Sequence, residues 1–342
     1  MWSFSPAPHI ESTRRASAPH RRTLYWHPPK TRILSGFLVQ IRLGTRNSPL
    51  ARWQAEWVAA QLTHHGHQVE LVPITTSGDR QTQQAIAALG ATGLFTKELQ
   101  RALLAGQIDL AVHSLKDLPT DAVPGLTLGA VPPRAPVADA LISRSQVRFA
   151  DLPSAAKVGT GSPRRRSQLL HRRPDLQMAE LRGNVDTRLA KLAAGEYDAI
   201  VLAVAGLTRL GRAAEMTESL PLDVMLPAVG QGALGLECRS DDQPLLAVLA
   251  PLDDSHTHAA VLAERALLHT LRGGCLAPVG AHSQVDSSGQ LTLSAVVLSL
   301  DGRQRIAQSA EGAFDAPEDL GNRLAQSMLA AGADQLIAQL RS

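Results

Sequence analysis

The chain has 342 residues, a formal net charge of +3 and 44% hydrophobic residues, enough for two or three domains with their own cores. No apolar run reaches the length of a membrane span, and two cysteines, Cys238 and Cys275, cannot build a disulfide scaffold. Modest charge and 3% aromatics argue against nucleic acid, which calls for a strong basic patch and stacking platforms.

Lysine occurs only at positions 30, 97, 116, 157 and 191, so most basic residues are arginine. Arginine forks suit carboxylates and phosphates.

Residues 1–37 carry Arg14, Arg15, Arg21, Arg22, Lys30 and Arg32 against a single acid, Glu11. Prolines and serines are frequent and no periodicity holds, so this stretch is expected to be a disordered tail. The same composition fits an organelle transit peptide or a translation start assigned too far upstream, and it lacks the apolar core of a secretory signal.

A strand is expected over residues 39–43, followed by Gly44-Thr45-Arg46-Asn47-Ser48-Pro49. Ser48 is a good N-cap and Pro49 a good first helical residue. The helix is expected to run to about His64, ended by Gly66, and a strand follows over 69–74. A loop over 88–93 leads to a helix over about 95–105. The strand over 108–112 then runs into His113-Ser114-Leu115-Lys116-Asp117. Polar groups at the C-terminal end of an apolar strand are where open α/β sheets bind ligands.

After the proline-rich residues 131–136 the pattern recurs: a strand at 157–158, Gly159-Thr160-Gly161-Ser162-Pro163, and a helix over 164–171. Two similar α/β lobes are therefore expected, each with a helix N-terminus opening onto a loop, a ready anion site. Further strands are expected over 176–181, 199–203 and 233–238, with a helix through Asp186-Thr187-Arg188 and an ordered connector at 227–232. From residue 253 on, a helix, a loop bearing Cys275, three strands and a last helix read as a small α+β domain.

Arg164, Arg165 and Arg166 open a helix, where positive charge opposes the helix dipole, so an anionic partner is expected. Arg182, Arg188 and Arg209 fall near other strand ends or helix starts of the same lobe. Each taken singly also reads as a solvated surface arginine. Asp117 is either a catalytic carboxylate or the partner of Lys116 in a plain ion pair. Cys275 follows two glycines and Arg272, on a loop where a thiol is reachable and nearby cations favour the thiolate. Cys238 sits inside a strand and reads as packed. His64, His65 and His67 lack helical metal-ligand spacing, and no metal site is expected.

The motifs Thr45-Arg46-Asn47-Ser48-Pro49-Leu50-Ala51, Gly93-Leu94-Phe95-Thr96-Lys97-Glu98-Leu99, Ala111-Val112-His113-Ser114-Leu115-Lys116-Asp117, Arg164-Arg165, Leu181-Arg182-Gly183-Asn184-Val185, Leu226-Pro227-Ala228-Val229-Gly230-Gln231-Gly232-Ala233 and Gly273-Gly274-Cys275, in that order, resemble the porphobilinogen deaminase family from about Ile41 to the C-terminus. The resemblance implies an α/β fold of two similar lobes of the periplasmic-binding-protein type plus a small α+β C-terminal domain. It divides the chain into the tail (1–37), lobe 1 (38–132 and 228–250), an arginine-rich lobe 2 (133–227) and a C-terminal domain (251–342). It implies a transferase of tetrapyrrole biosynthesis that joins four porphobilinogens, each losing ammonia, onto one covalent dipyrromethane per chain, and releases hydroxymethylbilane by hydrolysis.

By the same resemblance Cys275 carries the cofactor through a thioether, and Asp117 is catalytic. Ser48, Ser114, Lys116, Ser162, Arg164, Arg165, Arg188 and Arg209 contact the cofactor, while Arg46, Arg182, Arg188 and Arg209 bind substrate. A monomer in the cytoplasm is implied, or in a plastid if the tail is a transit peptide. Residues 88–92 depart from the family in carrying no lysine. A non-enzymatic two-lobed anion-binding protein is the rival reading. A cysteine-dependent hydrolase is a further one, without a convincing histidine partner.

Overall fold

The computed structural model describes residues 39–74, 96–274 and 276–339. The N-terminal tail, the loop over 88–92, Gly93-Leu94-Phe95 and Cys275 itself lie outside the described residues.

In chain order the strands and helices begin with β1 (Gln40–Thr45), α1 (Pro49–His64), β2 (Gln68–Pro73), α2 (Lys97–Leu104), β3 (Leu110–Ser114), β4 (Leu126–Ala130) and β5 (Asp139–Ser143). Then come β6 (Lys157–Gly159), α3 (Pro163–Arg172), β7 (Gln177–Ala179), α4 (Val185–Ala193), β8 (Ala199–Ala203), α5 (Val204–Arg209) and β9 (Glu218–Ser219). The chain goes on through β10 (Leu234–Arg239), α6 (Gln243–Leu249) and α7 (Ser255–Thr270). It closes with β11 (Val279–Val285), β12 (Gln290–Leu298), β13 (Arg305–Ala313), α8 (Pro317–Ala330) and α9 (Ala333–Ala338).

Two five-stranded sheets share one plan. The first has the order β2-β1-β3-β10-β4 and the second β7-β6-β8-β5-β9. In each, three parallel strands lie beside one antiparallel strand, and an edge strand pairs antiparallel with that one. The inner strands β3, β5, β8 and β10 are almost wholly buried, as expected for strands covered on both faces. The expected pair of similar α/β lobes is thus present. The expected α+β unit follows as the antiparallel sheet β11-β12-β13 packed on α7, α8 and α9 through a core that includes Leu267, Leu293, Leu324 and Met328.

Both lobes begin alike because both carry Ser-Pro at the first strand-to-helix turn. Ser48 Oγ accepts from the Ala51 N–H at 3.3 Å, and Ser162 Oγ from the Arg165 N–H at 3.4 Å. Each satisfies a donor that the helix cannot.

The chain passes between the two sheets twice, before β5 and before β10. Both crossings are fastened to α7 by Glu264, which is fully buried. Its carboxylate accepts from both terminal nitrogens of Arg134, at 2.7 and 2.9 Å, from the Gly230 N–H at 2.7 Å and from the Ser283 N–H at 2.9 Å. Gly232 sits at φ +88°, and a Cβ there would lie 2.4 Å from the Ala135 carbonyl oxygen. Only glycine allows the two crossings to run this close.

Candidate active site

The carboxyl ends of β1 and β3 bring Arg46, Ser48, Ser114 and Asp117 around one cavity of about 70 Å³, with Gln54 and His113 in its wall. Gln54, buried on α1, donates from Nε2 to Ser114 Oγ at 2.7 Å. Behind the cavity His113 Nε2 meets Glu237 at 2.9 Å, and Gln100 Nε2 donates to the same carboxylate at 3.0 Å. This buried set ties α2 and β10 to β3, the strand that leads into Asp117.

Asp117 is exposed and makes no ion pair among the described residues. The plain ion pair with Lys116 is therefore not formed. The Lys116 ammonium instead donates to Gln231 Oε1 at 3.3 Å. Burial and the neighbouring Arg165 charge push Lys116 down to about 8, against the opposing pull of Asp117 and Asp139.

Gln231 connects the lobes. Its Nε2 donates to the Val137 carbonyl at 2.7 Å and to Asp139 Oδ1 at 3.0 Å. Asp139 also holds Arg164, at 2.7 Å, and Arg165, whose Nε and Nη2 lie at 3.1 and 2.7 Å. Arg164 and Arg165 are both buried, so the anion expected at this helix start is an internal carboxylate. Burial alone would raise the Asp139 carboxyl, but the two arginine charges and their hydrogen bonds hold it well below the usual carboxylate range. Among the described residues Arg164 Nε has no acceptor although it is buried, so Asp139 does not saturate the pair. Arg166 is exposed.

Asp139→Ala would leave two buried guanidinium groups without their carboxylate. The expected loss is about 3–5 kcal/mol of stability, read from urea unfolding. A change under about 1 kcal/mol would contradict the anchoring role. The wild-type contribution is present in full above the ordinary carboxylate range. It is lost as the pH falls from there toward the depressed folded value.

In the second lobe Arg188 on α4 donates from Nε to the Gly183 carbonyl at 2.7 Å. Burial and the Arg165 charge bring it down to about 10, while Glu180 and Asp117 pull the other way. Arg209, at the end of α5, donates to the Gly232 carbonyl at 2.7 Å, and burial brings it to about 10 as well. Among the described residues Lys116, Arg188 and Arg209 have no carboxylate at ion-pair distance. Arg182 is exposed and pairs with Glu180 at 2.8 Å. Cys238 is fully buried in β10, and burial pushes its thiol up to about 11, which makes it inert at neutral pH.

The sequence reading missed Asp139, Gln231, Gln54 and the His113–Glu237–Gln100 set. Asp139 had a usable signal, a lone acid opening an apolar strand, Asp139-Ala140-Leu141-Ile142. Gln231 had none, because its side-chain partners, Lys116, Val137 and Asp139, all come from far along the chain.

Two family models cover most of the chain. One, described as porphobilinogen deaminase, dipyromethane cofactor binding domain, matches residues 41–247, and one described as porphobilinogen deaminase, C-terminal domain, matches 258–330. The curated porphobilinogen deaminase of Syntrophotalea carbinolica is 50% identical over 302 residues, 88% of this chain and 96% of that protein. That of Geobacter metallireducens is 48% identical, covering 88% and 95%. The chain belongs to the porphobilinogen deaminase family. Among solved structures, the methionine-binding protein MetQ aligns at 14% identity and a TM-score of 0.41, over 62% of this chain and 89% of that one.

Porphobilinogen deaminases act on porphobilinogen and carry a dipyrromethane, and the residues here fit such a group. A pyrrole bearing acetate and propionate arms is a polyanion. Lys116, Arg188 and Arg209 offer charge with no carboxylate at ion-pair distance among the described residues. Ser48, Ser114 and Ser162 each use the hydroxyl oxygen as an acceptor and keep the O–H to donate. Among the described residues no helix is long and apolar enough to cross a membrane.

Proposed function

We propose that this chain joins four porphobilinogen molecules, with loss of ammonia at each addition, and releases hydroxymethylbilane by hydrolysis, in tetrapyrrole biosynthesis. The observation that carries this reading is a set of half-buried cations, Lys116, Arg188 and Arg209, with no carboxylate at ion-pair distance among the described residues, where Asp117 is exposed and in no ion pair. A purely structural cluster would neutralise its own charges.

A dipyrromethane held through a thioether to Cys275 supplies the acceptor pyrrole when bound. Lys116, Ser48, Ser114, Ser162, Arg188 and Arg209 hold its carboxylates, and Arg164 and Arg165 set the field from their anchor on Asp139. Arg46, Arg182, Arg188 and Arg209 bind the arms of the incoming substrate. Loss of ammonia leaves the substrate as an electron-poor methylene pyrrole, a cation. The Asp117 carboxylate stabilises that charge and moves the pyrrole proton. The inert thiol of Cys238 supports Cys275 as the attachment point.

In this reading lobe 1 comprises residues 38–132 and 228–250, lobe 2 residues 133–227, and the C-terminal domain residues 251–342. The enzyme works as a monomer in the cytoplasm, a reducing compartment that keeps a thiol free.

The test is turnover. Purified chain given porphobilinogen should release four ammonia molecules per hydroxymethylbilane, and binding without ammonia release would favour a non-enzymatic anion-binding protein. Because Lys116 is charged below about 8 and neutral above it, kcat/KM should fall as the pH rises through that value. Lys116→Arg keeps its charge and should move the fall to higher pH. An unchanged descending limb in the Arg variant would remove Lys116 from the site.

A further inference from the structure

The arginines of this chain are held in two ways. Arg134 is gripped by Glu264, and Arg164 and Arg165 by Asp139. Among the described residues Arg209 is held without an acid. Its Nη2 donates to the Gly232 carbonyl, and its guanidinium carbon lies 5.9 Å from the centroid of the Trp53 ring, within the range of a cation–π contact. Trp53 lies in the second turn of α1, in the first lobe, and Arg209 ends α5 in the second. The face of α1 that enters the core carries Gln54, Ala55, Val58 and Leu62. Trp53 is only half-buried. It lines an open groove of about 390 Å³ with Asn47, Arg52, Arg209 and Leu210.

We infer that Trp53 is the positioning residue for Arg209, an aromatic face that holds the guanidinium between the two lobes and leaves its charge free for a substrate carboxylate. This rests on the reading of Arg209 as a ligand of the pyrrole side chains. A glutamate at position 53 would hold the same guanidinium, but it would have to be displaced whenever a carboxylate arrived. A ring face and one carbonyl oxygen orient the group with weaker attraction and do not neutralise it. The ring face and the carbonyl are the contacts that hold Arg209, with no acid paired to it among the described residues. Because the two side chains come from different lobes, the contact depends on their approach, and substrate capture by Arg209 is coupled to it.

Two substitutions separate positioning from packing. Trp53→Leu fills space without a π face and should raise the KM for porphobilinogen about tenfold, with kcat within about threefold of wild type, as expected for loss of one desolvated cation–π contact. Trp53→Phe keeps a π face and should restore KM to within about threefold. A KM unchanged in the Leu variant, or a Phe variant as impaired as the Leu variant, would overturn the inference.

A second readout does not depend on turnover. The chain has four tryptophans, and Trp2→Phe, Trp26→Phe and Trp57→Phe together leave Trp53 as the sole indole. Adding Arg209→Leu should then shift its emission. An emission unaffected by the loss of Arg209 would overturn the inference whatever the activity. A shifted emission in a chain that does not turn over porphobilinogen would keep the stacked pair and overturn the proposed reaction.

Discussion

Asp117→Asn is expected to lower turnover by about 10²–10³-fold, in line with removal of a preorganised electrostatic group, while the protein stays folded. The carboxylate makes no ion pair among the described residues, and its side chain is exposed, so the substitution leaves no buried partner stranded. Its stability cost should stay within about 1 kcal/mol. Asn keeps the size and some hydrogen bonding but removes the negative charge and the proton acceptor. The loss should therefore appear in kcat, when the methylene pyrrole cation forms. Binding of the first substrate should change much less, because in the proposed reading Arg46, Arg188 and Arg209 still hold its carboxylates. A stable, cofactor-loaded Asn variant with near wild-type kcat would remove Asp117 from the chemistry.

What the sequence made legible follows the range of the interactions. The turn at Ser48-Pro49 and its copy at Ser162-Pro163 are local, since cap and capped N–H lie three residues apart. Their repetition announced two lobes of one design. The strand that runs into Ser114 and Asp117 was likewise visible from its apolar residues. The strand β5 was not, because it follows directly on a proline-rich crossing. With β5 unseen, Asp139 was unseen too, and the arginines at the start of α3 read as facing an external anion. Their carboxylate lies 25 and 26 residues upstream. Gln231 and Glu264 were out of reach for the same reason. The first bonds Asp139 across 92 residues and the second bonds Arg134 across 130, and no local pattern records such a pairing.

The contrast between the two cysteines has the largest expected effect. Cys238 is buried in the core of the first lobe with its thiol held protonated, so it offers no attachment point. Cys275 follows Gly273 and Gly274, and Gly274 lies at φ +60° at the edge of a cavity of about 600 Å³ that Lys116 and Arg272 also line. Arg272, three residues before it in the sequence, favours the thiolate, and the cations that line the cavity favour a carboxylated ligand. Cys275→Ser should abolish turnover altogether, a larger loss than Asp117→Asn, because every addition requires the anchored acceptor. The serine variant should still fold. Its hydroxyl nearly matches the thiol in size but is far less nucleophilic at neutral pH.

Intact mass of the purified protein tests this most directly. Wild type should be heavier than its own polypeptide by one dipyrromethane unit, and Cys275→Ser should lack that excess. An active wild-type protein with no excess mass, or a serine variant that keeps it, would contradict the account.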